Sequence, residues 1–146
     1  MTEIERSALV MYSAEQMFDL VNDVASYPQF LPGCRGAEIL HRDEQILEAR
    51  LDLSRAGIRQ SFTTRNQLMR PTSMTLTLVD GPFENFTGHW MFTPLAESAC
   101  KVTFSLAFSM KSRLIAAAAG KIFSDLANQM VAVMCARAEE IYGKPQ

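Results

Sequence analysis

The sequence predicts an α+β domain: a seven-stranded, curved antiparallel sheet wrapped around a long C-terminal helix, with two short helices after the first strand. Three observations carry this expectation. Apolar and polar residues alternate with period two between Ala37 and Met110, whereas between Ser112 and Gly143 apolar residues recur at steps of three and four. A capped helical segment near Ser13 separates an opening strand from the alternating region. The 146 residues suffice for one core and leave no room for a second, so residues 1–146 are read as a single domain.

The elements follow in order. A strand opens the chain at about Ile4 to Met11. Ser13 and Gln16 then form a capping box, with Tyr12 and Met17 at the two staple positions, and the helix they start has the apolar stripe Met17, Leu20, Val21 and Val24. In Ser26-Tyr27-Pro28-Gln29-Phe30-Leu31-Pro32-Gly33-Cys34, Pro28 suits a first helical turn and Pro32-Gly33 stops it, which predicts a second, very short helix. Six strands fit between the turn signals Arg42-Asp43-Glu44, Arg55-Ala56-Gly57, Arg70-Pro71-Thr72, Asp80-Gly81-Pro82 and Leu95-Ala96-Glu97-Ser98. One phase of these strands is apolar, as in Leu47, Ala49, Leu51 and Leu53 or Val102, Phe104, Leu106 and Phe108. The other carries Glu48, Arg50, Asp52, Arg59, Thr63, Arg65, Thr75, Thr77, His89, Lys101 and Thr103. Such alternation describes a meander with one wet face and one buried face. Ser112 as N-cap, Gly143 at the end and Pro145 beyond it bound a helix of roughly 30 residues, about 45 Å long, whose Ile115, Ala119, Ile122, Leu126 and Met130 cover the buried face.

Composition excludes several functions. With 14 basic and 16 acidic side chains the net charge is −2, which argues against a nucleic-acid binder held by overall charge, and no DNA partner is expected. The opening Met1-Thr2-Glu3-Ile4-Glu5-Arg6 lacks the features of a secretory signal, and apolar runs fall far below the ~20 residues that span a bilayer. A cytoplasmic protein is expected, with peripheral contact at the inner membrane face as its only membrane association. Three widely spaced cysteines (Cys34, Cys100, Cys135) and two histidines suggest neither a disulfide framework nor a zinc site. No Ser-His-Asp or Cys-His arrangement and no phosphate loop is readable, and His41 and His89 fall at a strand end and in the wet phase. A protein without catalysis, metal or covalent cofactor is expected.

The succession Tyr27-Pro28-x-Phe30-Leu31-Pro32-x-Cys34, Phe62-Thr63-Thr64-Arg65, Asp80-Gly81-Pro82-Phe83, Trp90-x-Phe92 and Lys111-Ser112-Arg113 resembles the coenzyme Q-binding and ribosome association toxin branch of the START-like, helix-grip (polyketide cyclase-like) superfamily. The resemblance spans nearly the whole chain. The Tyr-Pro-x-Phe-Leu-Pro block and the Gly-Pro-Phe turn are its specific parts, while the fold pattern is shared with cyclases, plant allergens and lipid-transfer domains. The chain shows no clear departure from the branch pattern, though Gly33 stands where the resemblance implies a bulkier residue in many relatives. The resemblance implies non-catalytic binding of a polyprenyl quinone (ubiquinone) in an apolar cavity, as a carrier or chaperone supporting respiration. The alternative it implies is a toxin-like protein that binds the large ribosomal subunit and blocks subunit joining; a third is a cyclase- or dehydratase-like enzyme.

Whether the buried face is a filled core or a cavity stays open at this level. An empty cavity of ~300 Å³ would cost about 7 kcal/mol, so a partly collapsed pocket, or one that picks up an amphiphile, is expected. Its candidate lining is Phe30, Leu31, Leu51, Phe62, Trp90, Phe92, Phe104, Ile122, Phe123, Leu126 and Met130. Gln60, Thr64 and Asn66 share the inward phase and could donate to quinone carbonyls, unless a bulge turns one or more of them outward. Tyr27, Pro28, Pro32 and Phe83 are candidate lid or mouth residues, a role that rests mainly on the resemblance; the other reading is that the prolines only stop helices and Phe30 plugs the sheet's end. Arg55, Arg59, Arg65 and Arg70 occur between Leu53 and Val79 with no acid among them, which suggests a basic strip. Usually such a strip is a solvated face. It could also meet anionic lipid at roughly 1 kcal/mol per residue, or ribosomal RNA phosphates.

Overall fold

Capping chemistry sets the first helix. The Ser13 hydroxyl accepts from the Gln16 amide at 3.1 Å and the Gln16 side chain accepts from the Ser13 amide at 2.9 Å, closing the expected box. Tyr12 and Met17 are both buried at the staple positions, and helix α1 runs Ala14–Asn22 after strand β1, Thr2–Val10. The computed structural model describes residues 1–144; Pro145, read as part of the final helix stop, lies outside the described residues. The second short helix is a 3₁₀ turn over Val24–Gln29, earlier and tighter than the Ser26 to Cys34 block suggested. The chain leaves it at Tyr27, whose carbonyl accepts from both Phe30 (3.2 Å) and Leu31 (2.8 Å).

The meander comprises β2 (Cys34–Arg42), β3 (Ile46–Arg55), β4 (Ile58–Met69), β5 (Ser73–Asp80), β6 (Phe83–Ala96) and β7 (Ala99–Met110). The seven strands lie in the order β1-β7-β6-β5-β4-β3-β2, all antiparallel. β1 therefore pairs with the last strand, Ile4 opposite Leu106, while α1 and the 3₁₀ turn carry the chain to the other edge. The expected phases hold with one correction. Thr63, assigned to the wet phase, is buried, because the register between β4 and β5 slips there: Thr63 faces Asp80 while Thr64 faces Leu78, leaving Val79 as the extra, exposed residue.

Helix α2, Arg113–Tyr142, has the expected 30 residues. The Ser112 hydroxyl accepts from the Ile115 amide at 3.1 Å, and the Gly143 amide donates to the Glu139 carbonyl at 2.9 Å. The two ends of α2 are held differently. At its C-terminal end the Tyr142 hydroxyl donates to the Gln16 carbonyl at 2.8 Å and the Tyr12 hydroxyl donates to the Gly143 carbonyl at 2.7 Å, tying it to α1. At the other end Arg113, Leu114 and Ala116–Ala118 are exposed. The core lies between α2, α1 and the inner sheet face. At its centre the Trp90 ring lies 4.5 Å from Phe104 and stacks on Phe92 at 6.1 Å, and Phe18 of α1 meets Phe92 edge-on at 5.7 Å.

Candidate functional site

The inner sheet face does not close completely on the helices. A cavity of about 80 Å³ remains, walled by Leu51, Phe62, Thr64, Asn66, Met74, Trp90 and Phe104 from the sheet, Val21 and Val24 beside α1, and Phe123, Leu126 and Met130 from α2. At ~24 cal/mol per Å³ an empty space of this size costs about 2 kcal/mol, which a domain can bear. The pocket is thus partly collapsed relative to the ~300 Å³ at the small end of ligand sites. Its polar features are Thr64 and Asn66, both buried, with the Thr64 hydroxyl donating to the Asn66 amide oxygen at 3.0 Å. Among the described residues the Asn66 NH₂ group has no hydrogen-bond partner, so a donor is on offer to anything that enters.

Of the candidate lining, Leu31, Leu51, Phe62, Thr64, Asn66, Trp90, Phe104, Phe123, Leu126 and Met130 meet in this chamber. Four candidates do not. Phe92 is spent on the Trp90 and Phe18 rings behind the chamber wall. Phe30 packs on α2 instead, with the Arg137 guanidinium 4.8 Å from its ring centre and Tyr27 edge-on at 5.7 Å. Gln60 sits opposite Leu53, beyond the chamber toward the β3–β4 turn, and Ile122 looks outward into a second cavity. Phe83, a candidate mouth residue, is buried and lines the chamber within a cluster of phenylalanines, 4.7 Å from Phe123 and 5.0 Å from Phe86. Gly81 permits this, since a Cβ there would lie 2.9 Å from the Phe62 Cβ. Val21, Val24, Met74 and Leu76 line the chamber too; their apolar periodicity was readable, but periodicity marks a buried face without saying where that face is hollow.

The near end is roofed by Tyr27 and Leu31. The Tyr27 hydroxyl donates to the Val21 carbonyl, and burial pushes its ionisation far up, so the group stays neutral. Outside this roof lies a polar vestibule of about 590 Å³, lined by Pro28, Pro32, Gly33, Cys34, Arg35, Ser54, Arg55, Ile122, Asp125 and Gln129. Leu31 and Leu126 line both compartments. Gly33 has φ +79°, and the Ser54 amide donates to its carbonyl at 2.8 Å, which lays the loop onto β3. That backbone explains the glycine where a bulkier residue was expected. Arg55 forms an ion pair with Asp125, whose carboxylate also lies 3.3 Å from Lys121. Desolvation works to raise the Asp125 pKa, but Lys121 and Arg55 together hold it below the usual carboxylate range. Burial pushes the Cys34 thiol up and the Cys100 thiol to about 11, so neither is an activated nucleophile.

The four arginines do not form one free strip. Arg55 pairs with Asp125, Arg65 with Glu48 at 3.3 Å, and Arg70 makes two bonds of 2.8 Å to Asp19. The missing acids come from α2, β3 and α1, which a scan along one segment does not see. Arg59 and Arg35 form no ion pair among the described residues, and both front a hollow on the outer side of the β3–β4 hairpin with Ser54, Ser61 and Asp52, whose carboxylate is engaged by Arg50 and Ser61. His41 pairs with Asp43 at 2.8 Å and His89 lies 3.4 Å from Thr75, both on the surface. Among the described residues no helix is long and apolar enough to cross a membrane, and no three His, Cys, Asp or Glu side chains are grouped to hold a metal.

Comparison with known proteins agrees with this architecture. Ribosome association toxin RatA of Vibrio cholerae is 51% identical over 144 residues, covering 99% of this chain and 100% of that protein. Coenzyme Q-binding protein COQ10 homolog B of Xenopus laevis is 26% identical over 148 residues, covering 99% of this chain and 61% of that protein. Among solved structures, TTHA0849 from Thermus thermophilus superposes with a TM-score of 0.77 at 16% identity over 95% of each chain. The Zhui aromatase/cyclase from Streptomyces does so with 0.76 at 17% over 99% of each, a likeness of fold alone. A family model described as polyketide cyclase / dehydrase and lipid transport matches residues 10–135. With a seven-stranded sheet gripping one long helix around an apolar chamber, and with that match over most of its length, the chain belongs to the polyketide cyclase/dehydrase and lipid transport family.

Proposed function

We propose that this protein associates with the ribosome, and that its target is the large subunit. The observation that carries this reading is the 51% identity, without truncation on either side, to a protein named for ribosome association. The surface supports it through Arg35 on β2 and Arg59 on β4, two guanidinium groups on either side of β3 that form no ion pair among the described residues and that can meet RNA phosphates, with the Asp52 carboxylate of β3 lining the same hollow. Contact of this kind is salt-dependent. Sedimentation of cell lysate tests it: the protein is expected to co-migrate with ribosomal subunits at low salt and to leave them as salt rises. Free protein at low salt would sink the proposal, and Arg35→Glu with Arg59→Glu is expected to weaken co-migration without altering the fold.

The chamber favours a second reading, compatible with the first: reversible, non-catalytic binding of a small apolar molecule. A polyprenyl quinone is the version the Xenopus relative supports, with the free Asn66 NH₂ as donor to a quinone carbonyl. The cavity of about 80 Å³ must open further to admit such a molecule. Organic extraction of purified protein followed by mass analysis is expected to release quinone; none found before or after loading would remove this version.

A further inference from the structure

We infer that chamber and vestibule together form a binding site for an anionic amphiphile, with the apolar tail inside and a carboxylate or phosphate head held between Arg35 and Arg55. The inference rests on the chamber binding apolar molecules at all, and it adds the polarity of the guest and its direction. Three observations carry it. The two compartments adjoin across Leu31 and Leu126, so a chain that displaces these side chains passes from one to the other. Their linings differ in kind: the chamber is apolar but for Thr64 and Asn66, while the vestibule offers Arg35, Ser54, Arg55, Asp125 and Gln129. Charge within the vestibule does not cancel, since Arg35 has no acidic partner among the described residues and Asp125 alone answers Arg55.

Asp125 occupies Arg55 in the way a ligand head would. Its carboxylate keeps Lys121 at 3.3 Å if Arg55 turns away, so exchanging Asp125 for an incoming anion strands no charge. The guanidinium fork suits a carboxylate or phosphate, and a neutral head such as an alcohol or quinone offers it no charge to pair. Arg55 ends β3 and Asp125 lies on α2, so the same exchange releases the β3–β4 hairpin from the helix at the mouth. The geometry thus couples head-group capture to opening.

Calorimetric titration of the full chain with decanoate, decan-1-ol and inorganic phosphate tests this. Decanoate is expected to bind at least about tenfold more tightly than decanol, which has the same tail without the charge. The double variant R35Q/R55Q is expected to bring that ratio to about one with decanol still bound, and D125N, which frees Arg55, is expected to tighten decanoate severalfold. Equal binding of the two amphiphiles, or a ratio that survives R35Q/R55Q, overturns the inference and leaves apolar binding by the chamber standing. Binding of neither amphiphile overturns both. Inorganic phosphate competing as well as decanoate overturns it in favour of a bare anion site. Melting curves of the variants confirm that each is folded when titrated.

Discussion

On the inner face of the sheet, Met74, Trp90, Phe104 and Phe108 are buried against two helices, and on the outer face of the same sheet Arg50, Arg59, Arg65 and His89 stand in solvent. The inner set is held by packing around a void of about 80 Å³. The outer set is held by exchangeable ion pairs, Arg65 with Glu48 and Arg50 with Glu38 and Asp52, at 3.1 to 3.3 Å. Each face therefore contributes differently. The inner face supplies stability and a place for an apolar guest, whereas the outer face and the hairpin edge supply charge that a polyanion can recruit, most directly at Arg59 and Arg35, where no ion pair has to break.

That contrast can be broken most forcefully at Trp90. Trp90→Ala is expected to cost ~3–5 kcal/mol in urea unfolding, since it removes the ring that spans Phe92 and Phe104; a loss below about 1 kcal/mol would mean that the inner face is not close-packed. Next comes Leu126→Arg, which puts a guanidinium in the wall shared by the two compartments. It is expected to abolish decanol binding, with circular dichroism used to show the chain still folded, and undiminished binding would place apolar guests elsewhere. Asn66→Leu keeps the branched shape of the side chain and removes both the amide donor and the acceptor of the Thr64 hydroxyl. Stability is expected to fall by about 1–3 kcal/mol, while any preference of the chamber for a quinone over a hydrocarbon of the same size falls away.

On the outer face, Arg65→Ala is expected to cost ~0–1 kcal/mol, less still at high salt, because its pair with Glu48 is solvent-screened. The smallest effect concerns acid. Because Asp125 titrates below the usual carboxylate range, its pairs stabilise the fold fully above that range and lose their contribution as pH falls through the lowered pKa. Asp125→Asn should lower the melting temperature slightly at neutral pH, where the wild-type pairs are intact, and leave it unchanged once pH lies below the lowered pKa, so that this part of the acid profile flattens. A large effect at neutral pH would mean that the pair is structural and not exchangeable.

The same two faces explain what could be read from the chain alone. Strand phases, both helix caps and the length of α2 were legible because each depends on neighbours within a few residues: Ser13 with Gln16, Ser112 with Ile115, Leu47 with Ala49. Ten of the candidate pocket residues meet in the chamber for the same reason. Contacts between distant segments were hidden. Arg70 finds Asp19, Arg55 finds Asp125 and Phe30 finds Arg137 across gaps in sequence that no local pattern bridges. The bulge that buries Thr63, and the cluster that pulls Phe83 inward, likewise depend on registers and shapes fixed only once the sheet is assembled.

The pairing of β1 with β7 bears on how the molecule comes into being. Ile4 waits for Leu106, and the Gln16 carbonyl of α1 waits for Tyr142, so neither the first strand nor the first helix completes its native contacts until much later segments have been made. Contacts so far apart in sequence close large loops and slow folding. A nascent copy therefore leaves its early apolar strands uncovered until those segments emerge, and chaperone depletion should lower its yield more than that of a helical bundle of equal length.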